Sequence, residues 1–259
     1  MVGSGLSFRL AAAFQKQSHS VLLVHENPEQ AAYFLNDLER LLNPNEVLYF
    51  PASYRQPYAP ETTDNANILL RAEVLKKLST SKKPRIVVTY PQAVFEKIIS
   101  QRTLKRIALT LKKNTDVALG HINERLFEMG FERVDFVTAP GEFAVRGGII
   151  DVFSFAYQHP YRIEFFDETV ERLSSFDVVT QRSITAFEEI ELLPNTSDHD
   201  FTDKRKTLLS FFSENSCFVF ADLDKTTHSL GQLYEKAENT FRNFDTTTQY
   251  PPETLFVHP

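Results

Sequence analysis

The stretch YRIEFFDETVE, residues 161–171, alternates in a way that identifies a β-strand with two different faces. In a strand, successive side chains point to opposite sides, so Arg162, Glu164 and Phe166 share one face. Ile163 and Phe165 occupy the other face, which suits a hydrophobic core. The strand therefore predicts a half-buried sheet whose outer face carries an unusual mixture of charge and a large aromatic ring.

Several short segments of the same kind lie before and after this stretch. With a helix from Leu119 to Gly130, they predict an antiparallel sheet and an α+β domain over residues 105–197. The predicted strands are Arg133–Val137, Glu142–Val145, Ile149–Phe153, Arg162–Phe166, Val170–Phe176 and Ile184–Leu192.

The sequence on either side has a different rhythm. Short, continuously apolar runs at Val21–Val24, Val47–Phe50 and Ile86–Val88 alternate with amphipathic segments. Runs of this kind are typical of strands buried on both faces, so residues 1–104 predict a parallel α/β sheet. Near the end, the strand Cys217–Phe220 lies between predicted helices at Lys206–Phe212 and Thr226–Asn239, which restores the α/β character.

Composition excludes several classes of protein. The net charge of −6 disfavours tight binding to nucleic acid by these 259 residues. No apolar run is long enough to span a membrane and no secretory leader is evident, so we expect no membrane partner and a cytoplasmic location. The single cysteine, Cys217, fits a reducing compartment, and its apolar surroundings predict a buried side chain.

A glycine-rich segment near the start, Gly3-Ser4-Gly5-Leu6-Ser7, is close to the end of a phosphate-binding P-loop. Such a loop needs a lysine to reach the phosphates and a Ser or Thr hydroxyl to hold magnesium. Leu6 stands at the lysine position, and no apolar strand ends in an acidic pair that could position magnesium. We interpret the segment as a vestigial P-loop that forms an ordered turn and binds no nucleotide.

Other catalytic arrangements are missing from the sequence. The seven histidines show no metal-ligand spacing, and no Gly-x-Ser-x-Gly nucleophile motif is present. We therefore expect no catalytic residue, no metal site and no cofactor in this chain.

The strongest candidate for function is a surface carrying Arg146, Arg162 and Phe166. Arginine and exposed aromatic side chains are the residues that dominate protein–protein interfaces. The alternative is an ordinary solvated face with cross-strand ion pairs of the Arg162–Glu164 type, and the residues alone favour that alternative.

Three motifs in this region carry a resemblance to a known family. They are GEFAVRGGIIDVF (141–153), YRIEFFDETVE (161–171) and FDVVTQRSI (176–184). Together they resemble the UvrB-like interaction domain, in the form found in the N-terminal region of the bacterial transcription-repair coupling factor family, Mfd.

This resemblance implies a particular domain organisation. Residues 1–104 are similar to a degenerate, P-loop NTPase-like nucleotide-binding domain, as in the first domain of UvrB. The interaction domain, 105–197, is inserted into it, and residues 198–259 return to complete it. The motor domains of the family are not in this sequence, so the resemblance implies a fragment of a longer protein.

The resemblance also implies a function. The region recruits UvrA to stalled RNA polymerase in transcription-coupled nucleotide excision repair, and it is not itself an enzyme. The family's UvrA contacts fall on Arg146, Arg162 and Phe166, and we add Glu164 because it shares their face. ATP and magnesium are used by motor domains, and RNA polymerase and double-stranded DNA are bound through other domains of the longer protein.

An alternative function remains open at this point, namely a UvrB-like nucleotide- or DNA-binding domain with ATPase-linked damage recognition. In UvrB an aromatic β-hairpin follows the position matched by residues 47–60, VLYFPASYRQPYAP. The short connection here predicts that this hairpin is absent. Together with Leu6 and the missing acidic pair, it favours the UvrA-binding interpretation.

Overall fold

The computed structural model of the chain describes residues 5–17, 19–53, 58, 65–81, 83–155, 157–194, 205–243 and 250–259. The chain divides into two compact units. The first contains residues 1–101 and 197–259, and the second contains residues 102–196.

Eight helices and fourteen strands are defined in the described ranges. The helices are α1 (Gly5–Phe14), α2 (Pro28–Leu41), α3 (Asn65–Thr80), α4 (Pro91–Phe95), α5 (Gln101–Ile107), α6 (Leu119–Glu128), α7 (Leu223–Asn243) and α8 (Pro252–Leu255). The strands are β1 (Val21–Val24), β2 (Val47–Tyr49), β3 (Ile86–Thr89), β4 (Ile98–Ile99), β5 (Leu109–Lys112), β6 (Glu132–Arg133), β7 (Glu142–Arg146), β8 (Ile149–Val152), β9 (Tyr161–Phe166), β10 (Thr169–Phe176), β11 (Ser183–Phe187), β12 (Glu189–Leu192), β13 (Arg205–Lys206) and β14 (Cys217–Phe220).

The first unit is built on a four-stranded sheet in the order β14-β1-β3-β2, in which all neighbours are parallel. Every residue of the two central strands, β1 and β3, is buried, as their continuous apolar runs predict. The helix α2 begins as its sequence requires, because the Asn27 side chain accepts a hydrogen bond from the amide of Gln30 and Pro28 follows at the first helical position. The predicted α/β class with a parallel sheet is confirmed.

Two details of the first unit differ from prediction. Lys206–Phe212 is not an α-helix: Arg205–Lys206 pairs with β4, and only Leu208–Phe211 forms a 3₁₀ turn. Cys217 is exposed rather than buried. Its strand, β14, lies at the edge of the sheet and pairs on one side only, so an apolar run at this position is not enclosed.

Two segments, residues 51–60 and the glycine-rich segment Gly3–Ser7, lie partly outside the described residues. Of the connection 51–60, only Pro51, Ala52, Ser53 and Tyr58 are described, so the predicted absence of a hairpin there stays a prediction. Gly3 and Ser4 are likewise outside the described ranges. Gly5, Leu6 and Ser7 already belong to α1, so the turn predicted for these three residues is wrong.

The second unit contains a six-stranded sheet in the order β11-β10-β9-β8-β7-β6. Its neighbours are antiparallel except for β6 and β7, which run parallel. A separate ladder joins β12 to β5. Apolar residues from β7 to β10 form the buried side of the large sheet: Phe143, Ile150, Val152, Ile163, Val170 and Leu173.

Two of the predicted strands in this unit are shorter than their sequence pattern. Ile184–Leu192 is interrupted at Glu188, because β11 pairs with β10 whereas β12 pairs with β5 in the other ladder. Of the predicted strand Arg133–Val137, only Arg133 belongs to β6, which begins one residue earlier at Glu132. Val137 then packs in a small hydrophobic cluster with Ala144 and Phe153.

Candidate functional site

Strand β9 exposes Arg162, Glu164 and Phe166 as the alternation predicts, but Phe165, which was predicted for the core, is only partly buried. Ile163 is fully buried, whereas Arg162 and Glu164 are partly exposed. Phe166, the last residue of β9, is 74% exposed. The chain then turns at Asp167, which has a positive φ of 56°, and continues into β10. Phe166 therefore lies next to the turn of the β9–β10 hairpin.

The register between neighbouring strands brings a carboxylate to this face. Asp151 of β8 lies directly opposite Arg162 of β9, and Ala144 of β7 lies opposite Asp151 on its other side. Arg146 is two residues after Ala144, at the end of β7, and so shares its face. We call the set Arg146, Asp151, Arg162, Glu164 and Phe166 the polar face.

Two glycines make this register possible. The turn between β7 and β8 consists of Gly147, with a φ of 59°, and Gly148. A Cβ atom on Gly148 would lie 3.0 Å from the carbonyl oxygen of Phe165, so a side chain there would crowd β9. The Gly-Gly pair therefore permits the tight turn that follows Arg146 and the close approach of β9.

Asp151 binds both arginines. The Arg162 Nε donates to Asp151 Oδ1 at 2.7 Å, and Arg162 Nη2 donates to Oδ2 at 2.9 Å. Arg146 Nη2 also donates to Oδ2. Asp151 is 1% exposed, and the hydrogen bond to it raises the pKa of Arg162 above its ordinary value. Two positive charges thus enclose one buried negative charge, which leaves an excess of one positive charge.

Aromatic rings lie against both guanidinium groups. The Arg162 guanidinium carbon is 4.4 Å from the centre of the buried Phe176 ring. The Arg146 guanidinium carbon is 5.2 Å from the centre of the Phe136 ring, which is 68% exposed. These distances are within the range of cation–π interactions, which favour flat stacking of arginine on the ring.

Glu164 and Phe166 complete the polar face. The Glu164 carboxylate lies 3.7 Å from Arg172 Nη1 on β10, and both groups are partly exposed. Cross-strand ion pairs of the kind considered from the sequence therefore form on this face, with Arg162 paired to Asp151 on β8 and Glu164 paired to Arg172 on β10. All four predicted partner-binding residues lie on one side of the same sheet, with Phe166 at its end.

Sequence reasoning missed Asp151, Phe176 and Gln181, which all contact Arg162. Asp151 did carry a signal, since it is an acidic residue between Ile150 and Val152 in an otherwise apolar strand. Gln181 had none, because its role depends on a turn with a positive φ of 58°.

Ser7, the last residue of the glycine-rich segment near the start of the chain, has a defined structural environment. Ser7 is fully buried in α1, and its hydroxyl donates to Asp37 Oδ2 on α2 at 2.9 Å. Across the described ranges, no group of three or more His, Cys, Asp or Glu side chains could hold a metal ion. No helix found in those ranges is both long and apolar enough to cross a bilayer.

Comparison with known proteins finds a family model that matches most of the second unit. Residues 109–197 match the family model of the UvrB interaction domain. This match covers β5 through β12 and thus every residue of the polar face. The resemblance predicted from the three sequence motifs is confirmed by this match, which lies on the second unit.

Curated relatives extend the match over most of the chain. The transcription-repair-coupling factor of Bacillus subtilis (strain 168) is 31% identical over 192 residues, which is 74% of this chain and 16% of that protein. Those of Staphylococcus haemolyticus and Haemophilus influenzae are 29% and 25% identical over 92% and 93% of this chain, and over 20% and 22% of their own lengths. The chain is thus homologous to part of the transcription-repair-coupling factors and spans less than a quarter of the length of these relatives.

Proposed function

We propose that this chain is a non-catalytic docking module that binds UvrA and recruits it to stalled RNA polymerase in transcription-coupled nucleotide excision repair. The family match supports a UvrA-related role in repair. The observation that carries the proposal is Phe166, a large aromatic side chain that is 74% exposed on the same face of the sheet as Arg146 and Arg162. Aromatic and arginine side chains are the commonest energetic centres of interfaces.

The polar face defines what the partner must offer. Phe166 requires an apolar pocket, because a ring that stays in water contributes no free energy to binding. The excess positive charge around Asp151 favours carboxylates at the rim of that pocket, and Arg146 is the more accessible of the two arginines, at 39% exposed against 18%. Glu164, which already lies near Arg172, can accept a hydrogen bond from the partner or form an ion pair with a positive group on it.

The first unit, in this proposal, is a degenerate P-loop NTPase-like scaffold without nucleotide, metal or cofactor. The buried hydroxyl of Ser7 supports this, because it is committed to Asp37 rather than free for magnesium. ATP and magnesium would serve motor domains elsewhere in a longer cytoplasmic protein, which would also carry the contacts to RNA polymerase and double-stranded DNA. Magnesium-dependent ATP hydrolysis by the purified chain would contradict this part of the proposal.

The docking proposal is tested by measuring the affinity of the whole chain for purified UvrA from the same organism by biolayer interferometry. We expect Phe166→Ala to weaken binding about 30-fold or more, which corresponds to about 2 kcal/mol. The matched control is Phe8→Ala, which removes a ring that is 60% exposed on α1 of the first unit. It should leave the affinity unchanged.

The result is informative only if both variants fold. Because both rings are largely exposed, we expect their thermal unfolding curves to match that of the wild type. Unchanged UvrA affinity in a folded Phe166→Ala chain, or no measurable binding by the wild type, would overturn the proposal.

A further inference from the structure

The structure assigns a role to two residues that are not themselves predicted contacts. We propose that Asp151 and Gln181 are positioning residues, which hold Arg162 as a fixed support of the polar face while Arg146 and Phe166 reach the partner. This inference rests on the proposed UvrA-docking function, because it divides the work of docking among the residues of that face.

The hydrogen bonds of Arg162 leave it little freedom. Its Nε–H and one Nη2–H are donated to Asp151, and the second Nη2–H is donated to Gln181 Oε1 at 3.0 Å. Its Nη1 is 3.5 Å from the Gln181 carbonyl oxygen, which is a long contact. Phe176 covers one flat side of the guanidinium. A two-point contact from Arg162 to a partner carboxylate would therefore have to displace Asp151 or Gln181.

Gln181 is itself held in place by the turn 177–181, which is part of the FDVVTQRSI motif. The backbone amide of Gln181 donates to the Asp177 carbonyl at 2.8 Å, and its side-chain Nε2 donates to the Val178 carbonyl at 2.8 Å. Asp177 Oδ1 accepts from the amide and hydroxyl of Thr180, and these bonds lower the pKa of Asp177. The side-chain amide of Gln181 is thus fixed through its nitrogen and presents its oxygen to Arg162.

Arg146 has a different environment. It donates one hydrogen bond to Asp151 and one to the Asp135 carbonyl at 3.1 Å. The part of the chain that the structure describes offers no acceptor for its remaining three N–H groups. Arg146 can therefore form new hydrogen bonds with a partner without breaking those it already makes.

Positioning and simple charge predict opposite effects of removing Asp151. If the polar face acted only through its positive charge, loss of a negative charge would strengthen binding to an acidic partner. If Asp151 positions the arginines, its loss allows them to move, and binding must then restore their order at an entropic cost. The sign of the change in affinity separates the two roles.

The experiment measures association and dissociation rates of UvrA for the whole chain carrying Asp151→Asn. We expect affinity to fall at least tenfold, with the loss in a faster dissociation rate and with association unchanged or faster. The matched control is Glu124→Gln, which makes the same change of charge at an exposed position of α6 in the same unit. It should not change the dissociation rate.

A second variant, Gln181→Gly, protects the test against misfolding of Asp151→Asn. Glycine tolerates the φ of 58°, so it keeps the turn while removing the side-chain amide that holds Arg162. We expect dissociation of UvrA to become several-fold faster. If both variants fold and bind UvrA as tightly as the wild type or tighter, the positioning role is overturned while the docking function stands.

A partner-independent measurement separates this inference from the proposed function. In ¹⁵N NMR spectra, the Arg162 Nε–H donated to Asp151 should exchange slowly in the wild type and rapidly in Asp151→Asn. A rapidly exchanging Arg162 Nε–H in the wild type would overturn the positioning role whatever the affinity. A wild-type chain that shows slow exchange but binds no UvrA would overturn the docking function and, with it, the role of the positioned arginine in docking.

Discussion

Each unit contains a buried carboxylate bound to arginine, and the two sites differ in how much of the arginine they leave accessible. In the first unit, Glu96 lies 2.8 Å from Arg71 Nη2, and the side chains are 5% and 1% exposed. In the second unit, Asp151 is as deeply buried, but its partners Arg146 and Arg162 remain 39% and 18% exposed.

The surroundings of the two carboxylates otherwise correspond closely. Arg71 lies 4.3 Å from the centre of the Phe50 ring, much as Arg162 lies against Phe176. Glu96 also accepts hydrogen bonds from the amide and hydroxyl of Ser53, at 2.8 and 2.6 Å. Both carboxylates thus hold an arginine that packs on an aromatic ring, but the first site is enclosed by protein whereas the second leaves its two arginines partly exposed.

The largest expected effect on stability is at the buried Arg71–Glu96 pair of the first unit. Arg71→Ala should lower the free energy of unfolding by about 3–5 kcal/mol, because it removes the guanidinium that forms an ion pair with the buried Glu96 carboxylate. It also removes the hydrogen bond from Arg71 Nη1 to the Pro51 carbonyl, at 2.8 Å. Denaturation in urea at pH 7 measures the change.

The control for Arg71 is on the same helix. Lys77→Ala breaks the exposed pair between Lys77 and Glu73 on α3, and we expect a loss of at most about 0.5 kcal/mol. Similar losses for the two variants would show that enclosure does not distinguish the buried site from an ordinary surface pair.

A second, smaller effect concerns pH and again belongs to the first unit. His25 is 2% exposed and packs on Phe34 with ring centres 4.0 Å apart, and burial lowers its pKa to about 4. Above pH 6.5 the imidazole is neutral in both the folded and unfolded states. As the pH falls from 6.5 to 4, only the unfolded state binds a proton, so the free energy of unfolding should fall by about 1–3 kcal/mol.

Comparison with His25→Leu isolates this contribution from the carboxylates that titrate in the same range. The variant should lose part of the pH dependence between 6.5 and 4 in urea denaturation, whereas His228→Gln, an exposed histidine on α7, should retain all of it. Identical pH profiles for His25→Leu and the wild type would contradict the assignment.

The contrast between the units also explains what the sequence could predict. Local patterns located β1 and β14 at their observed residues, because an apolar run or an alternation is a property of neighbouring residues. Whether a strand is central or at an edge depends on distant parts of the chain, so the burial of Cys217 was predicted wrongly. The break at Glu188 was missed for the same reason, since β11 and β12 find partners in different ladders.

The polar face follows the same rule. Alternation along β9 placed Arg162, Glu164 and Phe166 together, and the structure has them on one side of the sheet. The buried carboxylate at its centre could not be derived from that strand, because it depends on the register that sets Asp151 opposite Arg162. The sequence thus predicted the exposed residues of the polar face better than it predicted Asp151, the buried residue that binds its arginines.

A smaller effect on stability is expected for Arg146, the more exposed of the two arginines bound to Asp151. Arg146→Ala should lower the free energy of unfolding by at most about 1 kcal/mol, because Asp151 keeps two hydrogen bonds and the charge of Arg162. The same urea denaturation used for Arg71→Ala measures it.

Arg172→Ala is the matched control, since this arginine is 53% exposed and lies 3.7 Å from Glu164 on the same sheet. Both variants should unfold within about 1 kcal/mol of the wild type, but only Arg146→Ala should reduce UvrA affinity strongly, because Arg146 has N–H groups left for a partner. If Arg146→Ala instead destabilised the chain as much as Arg71→Ala, Arg146 would be a structural residue like Arg71. Its place on the polar face could then not be assigned to binding.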